Sequence, residues 1–175
     1  MIILIRHGEK EYKNNKNRAL GFDPPLTAKG KKEIRDKIPQ LIEKYGEPKG
    51  IISSPFRRGR ETAGLIKDFC KETKVILCPA FGEYLGNQST ILSKHLTSTT
   101  LRFYSSLLFE KNITSYVAKG LDVLRDIPDD YWIVTHGIMI KEIASSLGES
   151  IHEPDCFGGF AAKREKDGFH VVDVL

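Results

Sequence analysis

The sequence predicts an α/β fold, a three-layer α/β/α sandwich with a mostly parallel central sheet and an antiparallel hairpin at one edge near the C-terminus. Three observations carry this. Four short runs, Ile2–Ile5, Gly50–Ser53, Lys74–Cys78 and Tyr131–Thr135, are rich in β-branched or aromatic residues and read as buried strands. Helical periodicities lie between them, and alternating strands and helices are the signature of a parallel sheet covered on both faces. The segment "GFAAKREKDGFHVVDV" departs from that alternation, with two strand-like runs flanking Asp167-Gly168.

In chain order, Ile34, Ile38, Leu41, Ile42 and Tyr45 fall at helical spacing, and Gly46 followed by Pro48 stops that helix. Ala63, Ile66, Phe69 and Cys70 mark a second helix. Ile113, Tyr116, Val117, Leu121 and Leu124 mark a third, closed by "DIPDD". A fourth runs through Ile140, Ile143, Ala144 and Leu147, with Gly148 just past its end. Residues 88–112, Ser/Thr-rich at "LTSTTL", are expected to form two short helices over one end of the sheet. No repeat or interdomain linker interrupts the pattern, so residues 1–175 are expected to form a single domain, a size that allows a substantial core.

The composition narrows the function. The chain is 40% hydrophobic and 29% charged, with a net charge of +4, as in ordinary globular proteins. Its one dense cationic stretch, "KEYKNNKNR", carries a single aromatic residue, Tyr12. It reads as a solvated loop able to attract a small anion rather than as a nucleic-acid surface. Three cysteines, Cys70, Cys78 and Cys156, show no metal-binding or CxxC spacing, and their odd number opposes a disulfide framework. No run reaches membrane-spanning length. A cytoplasmic protein without nucleic-acid or membrane partners is expected.

In open α/β sheets ligands bind beyond the carboxyl ends of the strands. The first strand delivers Arg6-His7-Gly8 to that rim, the second "SSPFRRGRETA", and the fourth Thr135-His136-Gly137. The third leads through Pro79 into "AFGEYLG", which carries Glu83. Histidines and arginines gathered there suit a dianion, because guanidinium groups are permanently charged and bind phosphate oxygens bidentately. Phosphoryl transfer needs that charge and an aligned nucleophile. His7, His136, Ser53, Ser54 and the cysteines are candidates. Neutral imidazole attacks near pH 7 without an activating base, which favours a histidine. Arg57 and Arg60 read as a solvated helix face; His95, His152 and His170 show no partner pattern. No cluster has the spacing of metal ligands.

Taken in order, "RHGE" after the first strand, "SSPFRRGRETA" and "THG" resemble the histidine phosphatase superfamily, the phosphoglycerate-mutase-like group. "DPPLTAKG" (Asp23 to Gly30) also resembles that family's entry into its first long helix. The resemblance implies a metal-independent enzyme without a cofactor, in which His7 is transiently phosphorylated. Arg6, Arg58 and His136 would cradle the phosphoryl group, Arg58 standing four residues after Ser54 where the family's motif keeps its arginine. The Gly137 N–H would assist. Glu83 matches the carboxylate that protonates the leaving oxygen and then activates water, a role that asks for a partly buried setting.

Lys10, Tyr12, Lys13 and Asn14 depart from the family pattern after "RHGE", as do Gly59 for a usual Ala and Glu61 for a usual Gln. These changes leave the phosphate pocket intact and leave the substrate open. A phosphorylated small molecule or a phosphopeptide is the expected partner. Hydrolysis is favoured over a phosphoglycerate-type mutase, because the chain is short where such mutases carry an insertion and tail. A phosphate- or phosphoprotein-binding module without turnover is the alternative of another class, although binding alone needs neither nucleophile nor acid.

Overall fold

The structure is a computed structural model describing residues 1–11, 23–84 and 112–175. Its elements are β1 (Ile2–Arg6), α1 (Ala28–Tyr45), β2 (Gly50–Ser53), α2 (Arg57–Phe69), β3 (Lys74–Leu77), a 3₁₀ turn (Pro79–Phe81), α3 (Ile113–Asp126), β4 (Tyr131–Thr135), α4 (Gly137–Ser146), β5 (Gly159–Glu165) and β6 (Gly168–Val174). The two helices expected over 88–112 fall outside the described residues, apart from Asn112, which caps α3 by accepting the Thr114 N–H at 2.8 Å.

The six strands form one sheet in the order β3-β2-β4-β1-β5-β6. The β1, β2, β3 and β4 pairings are parallel, while β5 runs antiparallel to β1 and β6 antiparallel to β5. Strand alternation divides the core in two. Ile2, Leu4, Ile52, Ile133, Phe160 and Ala162 face Tyr116, Val117 and Leu124 of α3 and Met139, Ile140 and Ile143 of α4. Ile3, Ile5, Ile51, Trp132, Val134 and Ala161 face Ile34 and Ile38 of α1 and Ala63, Leu65 and Ile66 of α2. Among the described residues, two helices thus cover each face of the sheet.

Local chemistry sets the helix limits. Thr27 accepts the Gly30 N–H at 2.9 Å and starts α1, and Gly46, at φ 80°, ends it. Gly148, at φ 86°, follows α4 in the same way. The carbonyls at the end of α3 are met by a side chain from the hairpin: Arg164 donates to the Arg125 oxygen at 2.7 Å and the Ile127 oxygen at 2.5 Å. No helix among the described residues is long and apolar enough to cross a membrane.

One expected element differs in kind. Lys74–Leu77 forms a strand, but among the described residues it is an edge strand paired with β2 alone rather than a buried one, and Ile76 is half exposed. Continuous apolar runs indicate burial on both faces only where helices cover both. The difference predicts unequal costs of substitution. Trp132→Ala should lower unfolding free energy by about 3–5 kcal/mol, whereas Ile76→Thr should change it by less than about 0.5 kcal/mol, both checked by urea unfolding.

Candidate active site

Register brings the ends of β2, β4 and β1 into one row. Ser53 lies opposite Val134, and Arg6 opposite Thr135. The ladder continues one residue further, through Ser54 N to the Val134 oxygen at 2.8 Å and His7 N to the Thr135 oxygen at 3.0 Å. Ser54, His136 and His7 therefore leave adjacent strands side by side. The two imidazole rings meet edge to face with centroids 5.0 Å apart.

Alternation along β1 decides which side chains join this cluster. His7 follows the parity of Ile3 and Ile5 and emerges on the α2 side, whereas Arg6 follows Ile2 and Leu4 to the α4 side. The cluster is completed by Arg58 from the first turn of α2, which has no solvent exposure. Its Nε donates to His7 Nε2 at 3.1 Å, its Nη2 donates to Glu83 and lies 3.4 Å from His136 Nδ1, and its Nη1 lies 3.5 Å from Asp23 Oδ1. Phe56 packs against it, with Cζ 4.7 Å from the ring centroid.

Donors and acceptors fix both tautomers. His7 Nδ1 stands 2.7 Å from the Gly8 carbonyl oxygen and must donate to it, which leaves the Nε2 lone pair toward Arg58. His136 Nδ1 likewise faces a guanidinium donor, so its Nε2–H donates to Ser54 Oγ at 2.7 Å. Burial, and then the Arg58 charge, lower the His7 pKa to about 3 against the upward pull of the Gly8 carbonyl. The same two causes hold His136 well below its ordinary value. Both rings are neutral at physiological pH.

Glu83 is partly buried and ion-paired with Arg58. Arg6 does not bond to His7. Its Nη1 donates to the Pro154 oxygen at 2.6 Å and its Nη2 pairs with Glu153 at 3.1 Å, although its charge still bears on both histidines. Arg6 Nε is buried and has no hydrogen-bond partner among the described residues. Gly137 opens α4 with Glu153 against its Cα: an added Cβ would lie 2.3 Å from Glu153 Oε1.

Arg57, Arg60 and His152 are exposed. His170 is exposed too, but it has a partner, Asp167, at 2.9 Å. His95 lies outside the described residues. Among the described residues, only Glu165, Asp167 and His170 bring metal-ligand atoms together. They occupy the exposed hairpin turn, and β5 runs antiparallel to β1 from Gly159 near the site to Glu165 at the far end of the sheet.

Sequence reasoning missed Asp23 and Glu153. Asp23 Oδ1 accepts the Arg57 N–H at 2.6 Å, capping α2, whose N-cap residue Phe56 supplies no side-chain bond. Its place at the head of "DPPLTAKG" was the available signal. Ser54, one of the candidate nucleophiles, accepts the hydrogen bond from His136 Nε2–H at 2.7 Å. Thr62, also missed, accepts the Gly8 N–H at 3.1 Å and donates to the Arg58 oxygen at 2.8 Å.

The family model for the histidine phosphatase superfamily (branch 1) matches residues 2–161. The chain belongs to this superfamily. Solved structures of similar fold include the protein histidine phosphatase SixA complexed with tungstate, at 14% identity, TM-score 0.64 and coverage of 99% of this chain and 95% of that one. A phosphoserine phosphatase from Entamoeba histolytica in complex with 3-phosphoglyceric acid shares 20% identity, with TM-score 0.64 and the same coverages. A mycobacterial glucosyl-3-phosphoglycerate phosphatase complexed with VO3 shares 15%, with TM-score 0.65, over 97% of this chain and 96% of that one. No curated protein matches the chain in sequence.

The depressed histidines make stability depend on pH. Their folded-state pKa values lie below the ordinary 6.5, so the unfolded chain takes up protons first as pH falls. Their contribution is complete above about pH 6.5 and is lost as pH falls toward the folded value, about 3 for His7. Thermal melts should therefore show Tm falling with acidification below about pH 6.5. In His7→Ala the dependence should be shallower, by up to about 1.4 kcal/mol per pH unit.

Proposed function

We propose that this chain is a metal-independent phosphomonoester hydrolase acting through a phosphohistidine at His7. The observation that carries the reading is the neutral His7 ring, its Nδ1 proton directed to the Gly8 carbonyl and its Nε2 lone pair beside a buried guanidinium. A nucleophile that needs no deprotonation sits against the charge that a phosphoryl group requires.

In the proposed reaction, phosphoryl oxygens replace the carboxylate as acceptors for Arg58, with further donors from Arg6 and the Gly137 N–H, and from His136 once its proton moves from Nε2, where Ser54 accepts it, to Nδ1, which faces Arg58. Glu83, displaced from Arg58 by the phosphoryl group, takes up a proton from solvent; His7 Nε2 attacks phosphorus, the bond to the ester oxygen breaks, and Glu83 gives that proton to the departing alcohol. Water then attacks phospho-His7 while Glu83 takes up its proton, and the P–N bond breaks to release phosphate and restore the ring. The permanent charges of Arg6 and Arg58 do the work a metal ion does elsewhere. Cys70, Cys78 and Cys156 are free thiols, in keeping with the cytoplasm as the proposed setting.

His7→Ala should abolish turnover of an aryl phosphate. Glu83→Gln, which can neither give nor take the proton, should lower kcat about 10²–10⁴-fold for esters with poor leaving groups. Acid-labile, base-stable phosphate should be trapped on wild-type His7 by rapid quenching, and heavy oxygen from labelled water should appear in free phosphate. Migration of the phosphoryl group within phosphoglycerate, without release, would establish a mutase. Anion binding without either chemistry would establish a binding module. Chelation by EDTA should leave the rate unchanged; loss restored by a divalent ion overturns the metal-free mechanism.

A further inference from the structure

Among the described residues, three carboxylates stand against the two arginines of this site, and they are not equivalent. Asp23 is held by the Arg57 N–H and faces Arg58, and Glu83 is bonded to Arg58, a side chain with no exposure. Glu153 pairs with Arg6 instead, on the opposite side of the sheet, and keeps 45% of its side chain in solvent. Glycine at 137 leaves room for this placement: a Cβ there would come within 2.7 Å of the Glu153 Cγ, Cδ and Oε1 atoms, and the Glu153 side chain would have to shift. Meanwhile both terminal nitrogens of Arg6 are taken, by Glu153 and the Pro154 carbonyl, while its buried Nε lacks an acceptor.

We infer that Glu153 selects the substrate by the charge of its leaving group, favouring phosphomonoesters with an ammonium or neutral tail and opposing those with a second anion. This rests on the phosphate-site reading above. A phosphoryl oxygen accepting from Arg6 Nε lies within a few bonds of the ester oxygen, so the tail emerges beside the guanidinium that Glu153 already faces. Asp23 and Glu83 point to Arg58, which leaves Glu153 as the half-exposed carboxylate at Arg6. An ammonium group there gains an ion pair. A tail carboxylate meets like charge and competes with Glu153 for the same guanidinium.

The test uses three esters of similar size: phosphoethanolamine, glycerol phosphate and phosphoglycerate. Their kcat/KM values are measured on the wild-type chain, and their affinities by calorimetry on His7→Ala, which reads the preference whether or not the wild-type chain hydrolyses anything. The cationic ester should rank first and the anionic one last. Glu153→Gln should shrink the ratio between those two about three- to tenfold, the range of a partly exposed charge pair. Glu153→Asp, which keeps the charge, should retain the wild-type order. If Glu153→Gln changes all three esters by one factor, Glu153 only seats Arg6 and the inference is overturned. It is overturned equally if the wild-type chain ranks the tails alike or binds none of them. Failure of turnover with intact, charge-ordered binding would instead remove the hydrolase reading and leave the selectivity standing.

Discussion

Everything at this site depends on burying one guanidinium. Arg58 has no solvent exposure, and arginine does not lose its proton in proteins. Removing such a charge from water costs several kcal/mol unless hydrogen bonds and opposite charge offset it. The surrounding residues meet that demand from four parts of the chain: His7 after β1, His136 after β4, Glu83 after the 3₁₀ turn and Asp23 before α1. Burial, and then the charge that Arg58 keeps, hold both histidines neutral. The Gly8 carbonyl takes the His7 Nδ1 proton, so the ring turns its Nε2 lone pair to the Arg58 donor.

The charges of Arg6 and Arg58 are already compensated within the protein. Each arginine holds carboxylate oxygens, so in the proposed reaction a phosphoryl dianion would exchange with acceptors already in place, except at Arg6 Nε, which has no partner among the described residues. Alternation along β1 keeps the two arginines apart, with Arg58 in the layer of α2 and Arg6 beside the segment that follows α4. A ligand held by both would span the end of the sheet between those layers, where Gly137 opens α4 and adds the partial positive charge of a helix N-terminus.

The departures from the family pattern acquire physical meaning in this setting. Glu61 lies behind the pocket: it accepts the Leu26 N–H at 2.9 Å and bonds Arg57 Nε at 2.8 Å, with Lys31 at 3.4 Å. A carboxylate between two cations fits there, and it ties α2 to the entry of α1. Gly59 makes room for Ser54, since a Cβ would stand 2.9 Å from the Ser54 Cβ and 3.1 Å from its carbonyl oxygen. Ser54 is the residue that receives the His136 proton, so this glycine bears on the orientation of the second histidine.

The sequence by itself determined the alternation of strands and helices, the terminal hairpin and the gathering of Arg6, His7, Arg58, Glu83 and His136 at one end of the sheet. Those features follow from local periodicity, from capping residues such as Thr27 and Gly46, and from the rule that parallel strands present their carboxyl ends together. The tertiary structure decided what depends on contacts between distant segments. It made β3 an edge strand, because coverage of a strand is set by its neighbours and not by its own apolar run. It carried the β1 ladder one residue past the strand, so that strand alternation still holds at His7 and turns it to the face opposite Arg6. Asp23, Ser54, Thr62 and Glu153 owe their places around the cluster to partners 35, 82, 54 and 147 positions away or to backbone approaches such as Gly137 to Glu153. No local pattern encodes such pairings, since they arise only when the sheet closes and the buried charge of Arg58 must find its partners.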